Sequence, residues 1–195
     1  MSLFALLLSI GGFPRYGMGL LIGFAAFLRP TELISLRKED VLLPHTHLSE
    51  GRVCGLHISK AKGGRNQFAR IQDPHAVAVL AALYANTPPG GRLFPGATGA
   101  KFNSLLRWCC AILDITDKFT LHSLRHGRAS QDFLNDLDPR LIQRSGRWRS
   151  EHGMEPYLQA CAAFLLILRC PPATSALLEF APFIREHFLL FLPST

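Results

Sequence analysis

The apolar positions of the chain fall into blocks with different periods. "MSLFALLLSIGG" (1–12) is apolar almost throughout and stops on two glycines. It has the look of a signal-peptide hydrophobic region but lacks a basic start and a small-residue cleavage pattern. "GMGLLIGFAAFL" (17–28) is too short to span a bilayer and runs directly onto Arg29, which predicts a buried helix. "LRPTELISLRKEDV" (28–41) places Leu33, Ile34 and Leu36 on one face, with Pro30 at a first helical position where its missing N–H is not needed. The period then shortens. "RVCGLHIS" (52–59) and "QFARIQ" (67–72), joined by "KAKGGRN", predict a β-hairpin with a basic tip. "DPHAVAVLAALYAN" (73–86) opens with an Asp cap and a first-turn proline and predicts a buried helix, and "LDPRLIQRSG" (137–146) repeats that start and closes on Gly146 as C′ residue. Between them, "PPGGRLFPGATG" is loop, 100–113 is an amphipathic helix, and Thr120 caps a further one. "FLLILRC" is short and runs into Pro171-Pro172, which ends any helix. The pattern predicts a mainly α domain with a small antiparallel β-sheet.

Composition narrows the class. With 195 residues, of which 48% are hydrophobic, the chain can bury a core. A formal charge of +7 and a pI near 9.5 favour polyanionic partners, nucleic acid before an anionic membrane surface. Five cysteines, none in a CxxC pair, give neither a disulfide framework nor a zinc knuckle and point to a reducing, intracellular setting.

The cations gather at element ends and turns: 29, 60–65, 122–128 and 147–149. The densest group is "TLHSLRHGRAS" (120–130), where His122 and Arg125 stand three apart and share a helix face. His122 and His126, four apart, could clip a metal, but no HExxH glutamate or cysteine pair accompanies them and Arg125 would repel a cation. A solvated basic face and an anion site remain. The anion reading gains from Arg29 at a helix start, a lysine on the hairpin tip, and "SGRWRSEHGMEPYLQ", in which Tyr157 follows Trp148 by nine residues. Phosphodiester chemistry needs such parts: cations around non-bridging oxygens, a nucleophile, and an acid for the leaving oxygen.

In this order the motifs resemble those of the tyrosine recombinases, the phage-integrase family, over about residues 20–160. "FLRPTELISLRKEDV" is similar to the first-arginine box, "HISKAKGGRNQFARI" to the lysine hairpin, "HSLRHGRAS" to the H-x-x-R-H box and "GRWRSEHGMEPYL" to the tyrosine box. The resemblance implies a catalytic-domain fold of that family and a site of Arg29, Lys62, His122, Arg125, Trp148 and Tyr157. Tyr157 would attack the scissile phosphate to give a 3′-phosphotyrosine and a free 5′-hydroxyl. Arg29 and Arg125 would hold the non-bridging oxygens, His122 would bond the phosphate and accept the tyrosine proton, and Trp148 would donate its indole N–H or pack against the tyrosine element. Tyrosine ionises near pH 10 in water, so it needs such help. Lys62, preferred over Lys60, would protonate the leaving oxygen. Glu32 would be the acidic residue after the first arginine. Neither metal nor cofactor is implied. The partners would be double-stranded DNA and further copies of the chain in a tetrameric synapse, placing the protein with DNA in nucleus or nucleoid.

Three departures qualify the resemblance. The chain begins close to Arg29, without the core-binding domain that family members carry before it, so weak, salt-sensitive DNA affinity is expected. Pro156 precedes Tyr157 and restricts the backbone there. The family often docks a C-terminal helix on a neighbour, and "LLEFAPFIREHFLLFL" is apolar enough for that, yet 161–195 match no motif and form an unassigned tail after a 1–160 catalytic unit. The competing reading is a remnant that binds DNA without cutting it. A type IB topoisomerase is the enzymatic cousin, against which the H-x-x-R-H box argues. His126 is expected to support the fold or touch backbone phosphate, and Arg65, Arg128, Arg147 and Arg149 to be DNA-backbone contacts or solvated charges.

Overall fold

The computed structural model describes residues 1–44, 53–61, 64–158 and 169–192, except for side chains within 60–65. Lys62 therefore lies outside the described residues, as do 159–168 of the tail. The architecture is the expected one, helices around a three-stranded antiparallel sheet.

Helices α1 (Ser2–Ile10) and α2 (Pro14–Ala25) pack on each other so closely that a Cβ on Gly17 would stand 2.6 Å from the Ala5 carbonyl oxygen. This explains the glycines in the apolar run 17–28. At Gly19 an added Cβ would stand 2.9 Å from the Phe102 ring, and at Gly23 3.0 Å from Leu124. The run also ends earlier than the hydrophobicity suggests. Helix α2 stops at Ala25, and Phe27 turns into the left-handed region at φ 51°.

Helix α3 covers only Pro30–Ser35, not the 28–41 that its pattern predicts. Leu36 leaves the helix because its carbonyl accepts from Leu93 N–H (3.0 Å) and Arg37 bridges to Arg92, a long-range pairing invisible in local periodicity. A 3₁₀ turn (Lys38–Asp40) follows, fixed by Asp40 accepting from Arg37 N–H (2.8 Å). The sheet has the order β1 (Val41–Leu42), β2 (Cys54–Ala61), β3 (Gly64–Ile71). The hairpin strands run further toward the tip than their apolar runs, with Ala61 opposite Gly64. Cys54, Leu56 and Ile58 of β2 and Ala69 and Ile71 of β3 face the core. Among the described residues strand β3 is paired on one side only, and its other edge approaches α7.

Helix α4 (Pro74–Ala85) has the expected cap, Asp73 accepting from His75 and Ala76 N–H, and α5 (Gly99–Ile112) is capped by Thr98. Helices α6 (Ser123–Leu134) and α7 (Pro139–Gly146) pack on each other, and α6 also packs on α2 and on the 3₁₀ turn Glu155–Tyr157. Helix α8 (Pro172–Glu179), α9 (Ala181–His187) and a last 3₁₀ turn (Phe188–Phe191) lie on their own chain. Ile184 and Phe188 join the main core, Thr174 donates to the Leu113 carbonyl (2.6 Å) and Arg185 pairs with Asp73. No helix among the described residues is long and apolar enough to cross a membrane.

Two hydrophobic clusters result. The larger takes in α1–α5, the sheet, Leu121 before α6 and Leu124 within it, and the C-terminal segment. The smaller consists of Phe27, Ala129, Ile142 and Met154, with Trp148, Tyr157 and Leu158 packed against it.

Candidate active site

The site is assembled over the smaller cluster from four chain segments that end or begin there. Arg29 occupies the N-cap of α3, where its backbone N–H donates to Glu32 Oε2 (2.9 Å) and its guanidinium to Glu32 Oε1 (2.7 Å). His122 is the residue before α6. Thr120 does not cap that helix through its own side chain; instead Ser123 Oγ accepts from Thr120 N–H (3.1 Å). Arg125 and His126 follow in the first turn.

The end of α7 departs from expectation in an informative way. Gly146 is not the left-handed C′ residue; Arg147 is, at φ 58°. Arg147 N–H bonds to the Arg144 carbonyl and Trp148 N–H to the Gln143 carbonyl, both 3.0 Å, which is the Schellman closure shifted one residue on. Glycine is needed at 146 for space, because a Cβ there would stand 1.6 Å from the Trp148 ring. Tyr157 sits at the end of its 3₁₀ turn, its carbonyl accepting from Ser130 Oγ of α6 (3.1 Å). Pro156 lies inside that turn, and the tyrosine still reaches the histidines.

Tyr157 Oη lies 3.4 Å from His122 Nε2. Its ring stacks on His126 (centroids 4.3 Å, 23°) and meets Trp148 at 5.0 Å. His126, assigned only a supporting part by sequence, is thus the surface on which the tyrosine rests. Arg125 is 0% exposed. Its two terminal nitrogens donate to the carbonyls of Phe27 and Gly146, and its guanidinium carbon lies 4.1 Å from the Trp148 ring centre. The left-handed turn at Phe27 belongs to one of these acceptors. Such a conformation costs a bulky residue on the order of 1–3 kcal/mol and persists where surrounding contacts hold it.

Arg147 corrects its expectation as a solvated or DNA-facing charge. Its side chain is 6% exposed, pairs with Glu32 Oε2 at 2.5 Å and donates to the Ala26 carbonyl (3.3 Å). One carboxylate is therefore shared by two arginines. No local sequence signal marks this role, because the partner Glu32 lies 115 residues away in the chain.

The protonation states follow from burial and from this crowd of cations. Burial, then Arg125 and Arg29, lower the His122 pKa; burial, His122 and Arg125 lower that of His126. Both imidazoles are neutral at pH 7, and His122 can accept a proton. Burial, Arg29 and Arg147 bring Arg125 down to about 10, which still leaves it charged. Burial pushes the Glu32 carboxyl up, but Arg147 and the bonds from Arg29 outweigh it and keep it ionised. Trp148 Nε1 is buried and has no acceptor among the described residues, as has Arg125 Nε. Buried donors without a partner are rare in proteins and mark a place where an acceptor is expected. Among the described residues no group of His, Cys, Asp and Glu is arranged to hold a metal.

The structure thus brings His122, Arg125, Trp148 and Tyr157 into contact, with Arg29 near enough for its charge to act on both His122 and Arg125. Two solved structures share this architecture. The XerH site-specific recombinase, bound to its difH substrate in a pre-cleavage complex, superposes with a TM-score of 0.61 at 18% identity over 80% of this chain and 48% of its own. The XerA recombinase gives 0.62 at 18% over 100% of this chain and 63% of its own. The fold is that of tyrosine recombinase catalytic domains. The chain spans about half the length of the one and under two thirds of the other. The sequence matches no family model and no curated protein.

Proposed function

We propose that the chain cuts and rejoins DNA strands in site-specific recombination, through a tyrosine-linked intermediate. The observation that carries this is the contact of Tyr157 Oη with the neutral His122 (3.4 Å), over a buried arginine in the fold of XerH and XerA. Tyr157 Oη forms a bond to phosphorus as the bond to the 5′ oxygen breaks. The phenol proton passes to His122 Nε2, and Lys62 supplies the proton taken up by the departing 5′ oxygen. Arg29 and the Trp148 indole N–H donate to the non-bridging oxygens. Such preorganised donors act most strongly where charge develops in the transition state.

Arg125 works from beneath. Covered by the Trp148 and Tyr157 rings, it contributes its charge at once and its unused Nε–H only when Tyr157 lifts from His126 toward the phosphate. The same cover is what a second reading, DNA binding without cleavage, would lean on, since Arg125 has no open path in this state.

A duplex pool carrying a nick just beyond the randomised candidate site separates the two. Cleavage lets the short end fragment escape and traps the protein on DNA. The expected result is a covalent adduct that forms in EDTA and disappears in Tyr157→Phe. DNA binding with no adduct from any member of the pool would overturn the cleavage reading in favour of the second.

A further inference from the structure

Arg147 is the least expected of the buried charges. It sits at the left-handed position that ends α7 (φ 58°), which glycine or asparagine ordinarily fills. A long side chain is strained there, and such strain persists only where the surrounding contacts hold it. The contacts of Arg147 run to one neighbouring stretch of chain. Its Nη1 donates to the Ala26 carbonyl (3.3 Å) and its Nη2 to Glu32 Oε2 (2.5 Å). Arg125 spans the same gap, joining the Phe27 carbonyl to that of Gly146. Two guanidiniums thus tie the stretch that carries Arg29 to the turn that carries Trp148. Their partners differ: Arg125 bonds backbone carbonyls, whereas Arg147 bonds the carboxylate that also holds Arg29.

The Glu32 side chain is 1% exposed, and its two oxygens are divided. Oε1 accepts from Arg29 Nη1 (2.7 Å), while Oε2 accepts from the Arg29 backbone N–H (2.9 Å) and from Arg147. Arg29 is therefore held by one terminal nitrogen, and its Nη2 and Nε make no hydrogen bond among the described residues. An arginine facing a lone carboxylate frequently grips both oxygens with two parallel N–H bonds. Here Oε2 is already taken, and that grip is prevented. The Arg29 side chain, 18% exposed, keeps donors to spare.

We propose that Arg147 is a positioning residue: by occupying Glu32 Oε2 it stops that carboxylate from capturing Arg29, whose remaining guanidinium edge is left for a DNA phosphate. Arg147 acts through Glu32 and Arg29 and touches no phosphate itself. The proposal rests on the reading that the chain acts on a DNA phosphodiester. The competing account is a plain tie between the end of α7 and the start of α3, whose loss would weaken the fold without changing what Arg29 contributes.

The test is a double-mutant cycle in the 195-residue chain, read as the rate of adduct formation on the nicked pool. Arg29→Ala alone should slow the reaction about 10²–10³-fold, as the loss of one preorganised donor does. Arg147→Met should slow it about 10- to 100-fold, the scale of a small misplacement, and Arg147→Lys, which keeps a donor for Oε2, should recover most of that loss. Adding Arg29→Ala to Arg147→Met should slow it less than about 5-fold further, because Arg29 is already captured. Combining Arg147→Met with Glu32→Gln removes the capturing carboxylate together with the stranded buried charge, so this chain folds even where Arg147→Met does not. In it the full effect of Arg29→Ala should return. Additive losses for Arg29→Ala and Arg147→Met, or a reduced Arg29 effect in the Glu32→Gln combination, would overturn the proposal. If the unaltered chain forms no adduct, cleavage is refuted, and the same cycle read as affinity for duplex DNA decides the role of Arg147 by the same pattern.

Discussion

The main core and the small cluster beneath Tyr157 are built from different materials. The main core is built mostly of aliphatic and aromatic side chains, with Met18 and three buried cysteines among them: Phe102, fully buried, meets Tyr16 at 4.7 Å and Phe94 at 6.4 Å and touches α2 at Gly19. The small cluster has four buried apolar residues and, in the midst of them, the fully buried guanidinium of Arg125 tied to two backbone carbonyls. One region is held by area removed from water, which is non-directional and forgiving of neighbours. The other is held by directional bonds to a charge that is costly to bury, so every partner matters. The difference separates what keeps the chain folded from what keeps the site shaped.

The sharpest way to break the comparison is to damage each region in turn. Phe102→Ala should cost about 3–5 kcal/mol and lower the melting temperature of the whole chain in calorimetry. Arg125→Leu removes a desolvated charge but strands the Phe27 and Gly146 carbonyls, and should cost about 2–4 kcal/mol. Its signature is a loss of amide-exchange protection in α7 and the tyrosine turn while α1, α2 and α5 stay protected. Uniform loss across both regions would mean the two clusters are one cooperative unit. Gly146→Ala is milder, about 1–3 kcal/mol of overpacking, because the Trp148 ring must move to admit the methyl group. In a Trp108→Phe background, which leaves Trp148 as the sole reporter, its fluorescence should shift while far-ultraviolet dichroism does not.

Acid gives the smallest and most selective effect. His122 and His126 have folded-state pKa values below the ordinary histidine value, so the unfolded chain takes up protons that the native site refuses. Their contribution is complete above about pH 6.5 and is lost as pH falls through the lower folded values. Denaturant midpoints should decline on the acid side of that point. The decline should flatten in His126→Asn; an unchanged acid limb would show that the ring stacked on Tyr157 is not titrating there.

Much of the fold was legible because the large core is written in periodicity. The Asp73 and Asp138 caps, the hairpin and the apolar helices each follow from local spacing. The failures share a cause. Helix α3 is cut short by the bond from Leu93 to Leu36, and α7 closes on Arg147 instead of Gly146 because the Trp148 ring claims the space. Both depend on residues that meet only after folding. At the site, motif order brought out His122, Arg125, Trp148 and Tyr157, which lie together. It could not foresee that Arg125 would be covered, that Arg147 would share Glu32, or that His126 would carry the tyrosine ring. Burial and ion pairing are properties of three dimensions, and an arginine reads the same in sequence whether it faces water or a carbonyl.

The shared carboxylate has a consequence for the charge inventory. Among the described residues the one carboxylate ion-paired within the group Arg29, Arg125 and Arg147 is Glu32, and the two histidines are neutral, so these side chains carry an excess of positive charge in a confined volume. In the proposed reaction, a pentavalent phosphate, with more negative charge than the diester it comes from, would answer that excess better than the starting bond does. The free protein is thus held slightly off its own electrostatic optimum, and ligand and fold become linked: what neutralises the site also tightens it.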